Sequence, residues 1–144
     1  MTALTPSTSF SLTDHLVALN AQDFSARQQD MAQKSRSDAD WLIGIKAFKT
    51  TLSVHGDYWE RHPKGDETLC LLEGALNLIL FNAQTATEHT VPLAAGHAFI
   101  VPQGTWHRLS VQTPGRLLFI TPVVGSEHAK VGSIEPHQPQ QAQS

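Results

Sequence analysis

Apolar and polar positions change character twice along this chain, near residue 41 and again near residue 125. Between those points short apolar stretches recur. Trp41-Leu42-Ile43-Gly44-Ile45-Lys46-Ala47-Phe48 and Thr50-Thr51-Leu52-Ser53-Val54 carry the β-branched and aromatic side chains that suit a strand. Further candidates follow at Glu67 to Glu73, Leu76 to Phe81, His89 to Leu93, His97 to Val101, His107 to Gln112 and Arg116 to Thr121. Pro63-Lys64-Gly65-Asp66, Gly74, Asn82, Ala94-Ala95-Gly96, Pro102 to Gly104 and Pro114-Gly115 separate them, all with turn chemistry. Many short strands divided by Gly and Pro predict an all-β sandwich or barrel over residues 41–125.

The two ends read differently. Residues 1–40 are expected to form a leader, with a strand at His15-Leu16-Val17-Ala18-Leu19 docking on the body. Asn20 can cap a short helix over Ala21 to Met31, although Gln and Asp leave its apolar face thin. After Gly125 the apolar content falls away, so residues 126–144 are expected to be a flexible tail.

Composition narrows the class. At 144 residues the chain is long enough for one domain with a core and too short for two comfortable ones. Its hydrophobic share of 40% and charged share of 16% are those of an ordinary globular protein. The net charge of −3, with Lys and Arg scattered, lacks the basic stripe that neutralises phosphates, so no nucleic-acid partner is expected. No apolar run approaches bilayer length, so no membrane partner is expected either. The N-terminus has neither the basic start nor the apolar core of a secretory signal. Cys70 is the single cysteine and cannot form an internal disulfide, which fits a reducing cytoplasm. It is expected to be a small buried hydrophobe on its strand.

The candidate chemistry lies in Tyr58 to Gly74. Glu60 and His62 are two apart, so on a strand they share a face, and a hairpin through Pro63 to Asp66 can bring Glu67 onto it. His107, downstream in Pro102-Gln103-Gly104-Thr105-Trp106-His107, is available as a fourth group. Imidazole and carboxylate both bind first-row divalent ions, at roughly 2.0–2.2 Å for zinc. The other reading has no metal: Glu60 pairs with Arg61 or Arg108, and hydrogen bonds hold the histidines. Strand parity places Tyr58, Leu69, Leu71 and Leu109 on the same face as these groups, as the lining of a mostly apolar small-molecule pocket. Trp59 and Trp106 have the opposite parity and are expected in outer packing. His55, His89 and His97, at turns or strand starts, read as surface residues.

With both stretches in view, the chain resembles the cupin superfamily. That family's first motif is G-x5-H-x-H-x(3,4)-E-x6-G, and its second is G-x5-P-x-G-x2-H-x3-N. Glu60-x-His62-x4-Glu67-x6-Gly74 matches the first, with Glu60 where the first histidine is expected; Gly96-x5-Pro102-x-Gly104-x2-His107 matches the second. Val54 replaces the leading glycine and Val111 the final asparagine. The resemblance implies a small jelly-roll β-barrel, often a homodimer, on a fold that carries oxygenases, isomerases and binding proteins alike. It implies a divalent ion held by Glu60, His62, Glu67 and His107, with Glu60 shifting the preference towards Mn²⁺ or Fe²⁺ while Ni²⁺ or Zn²⁺ remain candidates. The function expected is therefore metal and small polar metabolite binding, as in an oxygenase or isomerase. A metal-free, non-catalytic binding cupin is the alternative.

Overall fold

Nine strands account for most of the described residues in the computed structural model, which describes residues 8–51, 54 and 56–134. They are β1 (His15–Asn20), β2 (Ser25–Asp30), β3 (Trp41–Phe48), β4 (Tyr58–Arg61) and β5 (Glu67–Asn82). β6 (Thr87–Ala94), β7 (Ala98–Val101), β8 (His107–Pro122) and β9 (Glu127–Lys130) complete the set. All pairings are antiparallel, in the order β2-β1-β3-β8-β4-β9, with β5 joining β8 to β6 and β7. The architecture is the all-β jelly-roll expected from the strand pattern and the resemblance. No helix among the described residues is long and apolar enough to cross a membrane.

Two long, bent strands build the body. The segments Glu67–Glu73 and Leu76–Phe81, read as separate strands, are one strand, and so are His107–Gln112 and Arg116–Thr121. Gly74 does not stop β5; it bends it. Gly74 has a φ of 91°, which a side chain rarely tolerates, and a Cβ there would lie 2.6 Å from the Pro114 carbonyl. At the facing bend a Cβ on Gly115 would lie 1.8 Å from the Glu73 carbonyl. Only glycine allows these two backbones to cross. The paired bends let β5 and β8 stay bonded along nearly their whole length while they curve round one interior.

That interior follows strand alternation. Leu69, Leu71, Leu76 and Leu78 of β5 are buried together with Leu109, Leu117 and Phe119 of β8, Leu42 of β3 and Leu16 and Ala18 of β1. Cys70, on the opposite parity of β5, is half-buried beyond that core, contrary to the buried site expected for it.

The ends depart from expectation. The strand expected at His15 to Leu19 is present as β1, but the helix expected over Ala21 to Met31 is not. Ser25–Asp30 forms β2 instead, in full register with β1. A turn with Phe24 at φ 58° reverses the chain, and Asp23 Oδ1 accepts a hydrogen bond from the Ser25 amide at 3.1 Å. β2 is an edge strand with mostly exposed side chains, which is why its polar composition imitates a surface helix. Met31–Arg36 is a short 3-10 segment. Beyond residue 125 the chain is not all tail, because β9 pairs with β4 from Tyr58↔Lys130 to Arg61↔Glu127. Residues 135–144 lie outside the described residues, as do Leu52, Ser53 and His55.

Candidate metal centre

Two loops held against each other deliver the ligand candidates. Asp66 Oδ1 accepts the Gln103 amide at 2.8 Å, Gln103 Nε2 donates to the Pro63 carbonyl at 2.6 Å, and the Gly104 amide donates to the His62 carbonyl at 3.0 Å. Gly104 has a φ of 77°, so the turn needs a residue free to adopt it. This lock sets the Glu60–His62–Glu67 segment beside the start of β8, where Glu60 pairs with His107 in register. β4 and β5 do not pair with each other, so the turn through Pro63 to Asp66 is not the hairpin expected.

Glu60, His62, Glu67 and His107 converge there, each offering one ligand atom, and those atoms all lie within 4.8 Å of one another. His62, Glu67 and His107 are buried; Glu60 is partly open. His107 Nε2 lies 2.9 Å from Glu67 Oε1, and His62 Nε2 lies 3.4 Å from the same oxygen and 3.5 Å from Glu60 Oε1. The longest of these approaches is His107 Nε2 to Glu60 Oε1, at 3.9 Å.

The far side of each group is fixed by a partner of its own. His107 Nδ1 sits 3.0 Å from the Thr105 carbonyl, which can only accept, so Nδ1 carries the proton. His62 Nδ1 lies 2.8 Å from Ser126 Oγ, which lies 3.2 Å from both the Pro122 and the Val123 carbonyl; a hydroxyl that gives its hydrogen to either carbonyl accepts one from His62 Nδ1. In the neutral rings both Nε2 lone pairs then point inward. Thr121 Oγ1 donates to Glu67 Oε2 at 2.6 Å and His128 Nε2 meets Glu60 Oε2 at 3.0 Å, which leaves the Oε1 atoms to face the imidazoles. His62 Nε2 is buried and makes no aligned hydrogen bond among the described residues.

Such a set of lone pairs repels itself unless protons or a cation lie between. Without a cation the protons come from the protein. Burial would hold the His62 imidazole down, but Glu60 and Glu67 outweigh it and raise its pKa to about 9. Burial likewise pushes the Glu67 carboxyl up, and hydrogen bonds and charge from His107 and His62 outweigh that, bringing it to about 2. The His128 imidazole is raised, chiefly by its hydrogen bond to Glu60. Two nitrogen and two oxygen donors, each oriented from behind, fit a divalent first-row ion.

Beside the centre opens a cavity of about 1000 Å³. Tyr58, Leu69 and Leu109 line it as parity predicts. Leu71 does not. It is fully buried in the core, where its amide and carbonyl bond the turn at Gly96 and His97, and it is not among the cavity's lining residues.

Residues 51–121 match the Cupin_2 family, described as "Cupin domain". The chain belongs to the cupin superfamily. No curated protein sequence matches this cupin at a significant level. Among solved structures it is similar to a cupin-2 domain protein from Shewanella frigidimarina, with 19% identity over 58% of this chain and 71% of the other, and a TM-score of 0.45. It is also similar to an ethanolamine utilization protein Q, so described provisionally, from Salmonella typhimurium (17%, 76% and 69%, 0.47). A third is hydroxypropylphosphonic acid epoxidase from S. wedmorenis in complex with fosfomycin (15%, 56% and 42%, 0.42). This cupin spans less than half the length of the epoxidase.

The arginine pairings considered for Glu60 do not form. Arg61 bonds Glu127 instead, with Nε at 2.6 Å from Oε1, and lies over the Trp106 ring at 4.4 Å. Arg108 faces Glu88 and lies over Trp59. Trp59 packs outside the cavity, against Phe81, and His89 and His97 are exposed, all as expected. Thr121, Ser126 and His128 went unread in the sequence. Thr121 shares the inward parity of Leu117 and Phe119 and was open to the same argument. The other two stand in a polar stretch with no apolar rhythm to place them.

Proposed function

We propose that this cupin binds one divalent first-row ion, from Mn²⁺, Fe²⁺, Ni²⁺ and Zn²⁺, through Glu60, His62, Glu67 and His107. The bound ion serves a small, oxygen-bearing metabolite in the adjoining cavity, in an oxygenase or isomerase reaction. The observation that carries the reading is the inward convergence of both Nε2 lone pairs on two carboxylates, with Nδ1 of each ring occupied from behind. When bound, such an ion supplies a Lewis acid, or an O₂ site if it is iron. The protein's part is to hold the donors with the Thr105 carbonyl, Thr121, Ser126 and His128, and to exclude water with Leu69, Leu109, Leu117 and Phe119.

The donor set weighs on the choice of ion. Two carboxylates add oxygen character and charge, which favours Mn²⁺ or Fe²⁺ by hardness, while Zn²⁺ and Ni²⁺ retain the advantage in raw affinity. Elemental mass spectrometry on untagged protein tests the site. One ion per chain in the wild type, falling in both Glu60→Ala and His107→Ala, is the expected result. A wild type that holds no metal and takes none up on incubation ends the reading.

A second reading has its own support. The protonated His62 imidazole lies between Glu60 and Glu67 and offsets one of their two charges, and His128 on Glu60 can offset the other, giving a self-paired cluster and a metal-free binding cupin. Glu60→His separates the two. It restores the family's donor pattern and raises metal affinity if the centre is competent, whereas a protein that still binds no ion supports the metal-free form.

A further inference from the structure

The charges on the cavity wall are unevenly matched. Its acids are Glu60 and Glu67, and both are engaged by imidazoles. Its lysines are Lys34 and Lys46, and neither makes an ion pair among the described residues. In a chain where acids outnumber lysines and arginines by 13 to 10, two ammonium groups on one cavity with no ion pair among the described residues need a reason.

Their positions supply one. On β3, Leu42, Gly44, Lys46 and Phe48 share the parity that faces the interior: Leu42 and Phe48 are buried, and Gly44 lies under Leu16 and Phe119. Lys46 is the polar member of this inward row, and it pairs in register with the cavity residue Leu117. Lys34 comes from the 3-10 segment between β2 and β3, and its Nζ stands 4.6 Å above the centre of the Phe119 ring, in the cavity wall. The cavity thus has the His/Glu cluster at one part of its wall, apolar side chains around it, and two cationic groups with no carboxylate partner among the described residues.

We propose that Lys34 and Lys46 select a small organic anion: an oxyanion head, carboxylate or phosphate, on an apolar body that packs against Leu42, Leu69, Leu109, Leu117 and Phe119. This deepens the substrate class of the site proposed above. It rests on the cavity being the ligand site but does not require the ion.

The test is calorimetric titration with 3-phenylpropionate, its neutral amide 3-phenylpropanamide and phenethyl phosphate. Each is run on Mn²⁺-loaded and on chelator-treated protein, for the wild type, Lys34→Met/Lys46→Met and Lys34→Arg/Lys46→Arg. Methionine keeps the unbranched stem and removes the charge, and both positions are exposed enough for the fold to survive. The expected result is an anion preference over the amide of about tenfold, the scale of one hydrogen bond to a charged group. It appears with and without Mn²⁺, is lost in the methionine variant and is kept in the arginine variant. The ratio of carboxylate to phosphate affinity then names the head group. Equal affinity for anion and amide, or no binding of any probe, overturns the inference. So does a preference confined to Mn²⁺-loaded protein that survives in the methionine variant, since the ion would then select the anion. A protein that takes up no Mn²⁺ yet shows the lysine-dependent preference loses Mn²⁺ as the ion of the site and keeps this inference.

Discussion

Glu60 occupies a histidine's place in the cupin pattern, and its neighbour from β9 shows how a carboxylate can work there. A glutamate has more rotatable bonds than an imidazole and is a poorly oriented ligand unless something holds its second oxygen. His128 does so at 3.0 Å, from a strand in register with Glu60 itself. Removing it by His128→Ala is expected to weaken metal binding by about 10-fold, the low end of the usual cost of losing an outer partner. In a Glu60→His background the same change is expected to do almost nothing, because the carboxylate it served is gone. Competition against a metal-sensitive dye, run as a double-mutant cycle, checks this. Equal losses in both backgrounds would mean that His128 acts by some other route.

The same cluster sets a pH dependence. In chelator-treated protein the folded state raises His62 from 6.5 to about 9. The stability this contributes is complete below about pH 6.5 and is lost as pH rises through about 9. Glu67 runs the other way: lowered from 4.5 to about 2, it contributes fully above about pH 4.5 and loses that contribution as pH falls through about 2. Metal-free protein should therefore melt at its highest temperature between those limits and lose stability from pH 6.5 to 9. Metal affinity should rise over that same interval, since an ion displaces the His62 proton. Scanning calorimetry with and without Mn²⁺ follows both trends, and a flat metal-free profile from pH 6.5 to 9 contradicts the proton-bridged cluster.

At the scale of elements, the crossing of β5 and β8 is the feature least tolerant of change. A Cβ at Gly115 would fall 1.8 Å from the Glu73 carbonyl, and that backbone cannot move without breaking the pairing on either side. Gly115→Ala is expected to cost about 3 kcal/mol or more, well beyond an ordinary surface change, read as a drop in the urea midpoint. Gly96→Ala is the control, because a Cβ there meets nothing within 4 Å and only its φ of 85° opposes the change. These bends also show what the sequence could disclose. Glu67–Glu73 and Leu76–Phe81 were legible as β by alternation, and so were both halves of β8, but a glycine between two strands looks the same whether the chain turns or merely bends. Long-range pairing decides that, and no local pattern carries it. Four ligand candidates were legible because their spacing is local or motif-bound. β9 was not: Glu127-His128-Ala129-Lys130 has no apolar rhythm, and its reason for being a strand is the open edge of β4. β2 imitates a surface helix for a related cause, since an edge strand exposed on most of its length needs no apolar face.

Across the whole molecule, the ligand candidates come from four places in the chain that meet only when the barrel closes. Glu60 is on β4, His62 in the turn after it, Glu67 at the start of β5 and His107 at the start of β8. Unfolded, they have no common geometry, so an ion that binds the folded centre should stabilise the entire domain by mass action. At a free Mn²⁺ concentration a hundredfold above Kd this amounts to about 2.7 kcal/mol, or a rise of roughly 10 °C in Tm for a domain of this size. Glu67→Gln tests whether the gain comes through the centre. It keeps the shape of the side chain and an oxygen for the Thr121 hydroxyl, and removes the charge shared by both histidines. The variant should show almost none of the Mn²⁺-dependent shift, while its metal-free Tm falls because His62 and His107 lose their partner. A shift as large as the wild type's would place the stabilising ion elsewhere on the barrel. Its disappearance would tie folding of the domain to the Glu60–His62–Glu67–His107 cluster.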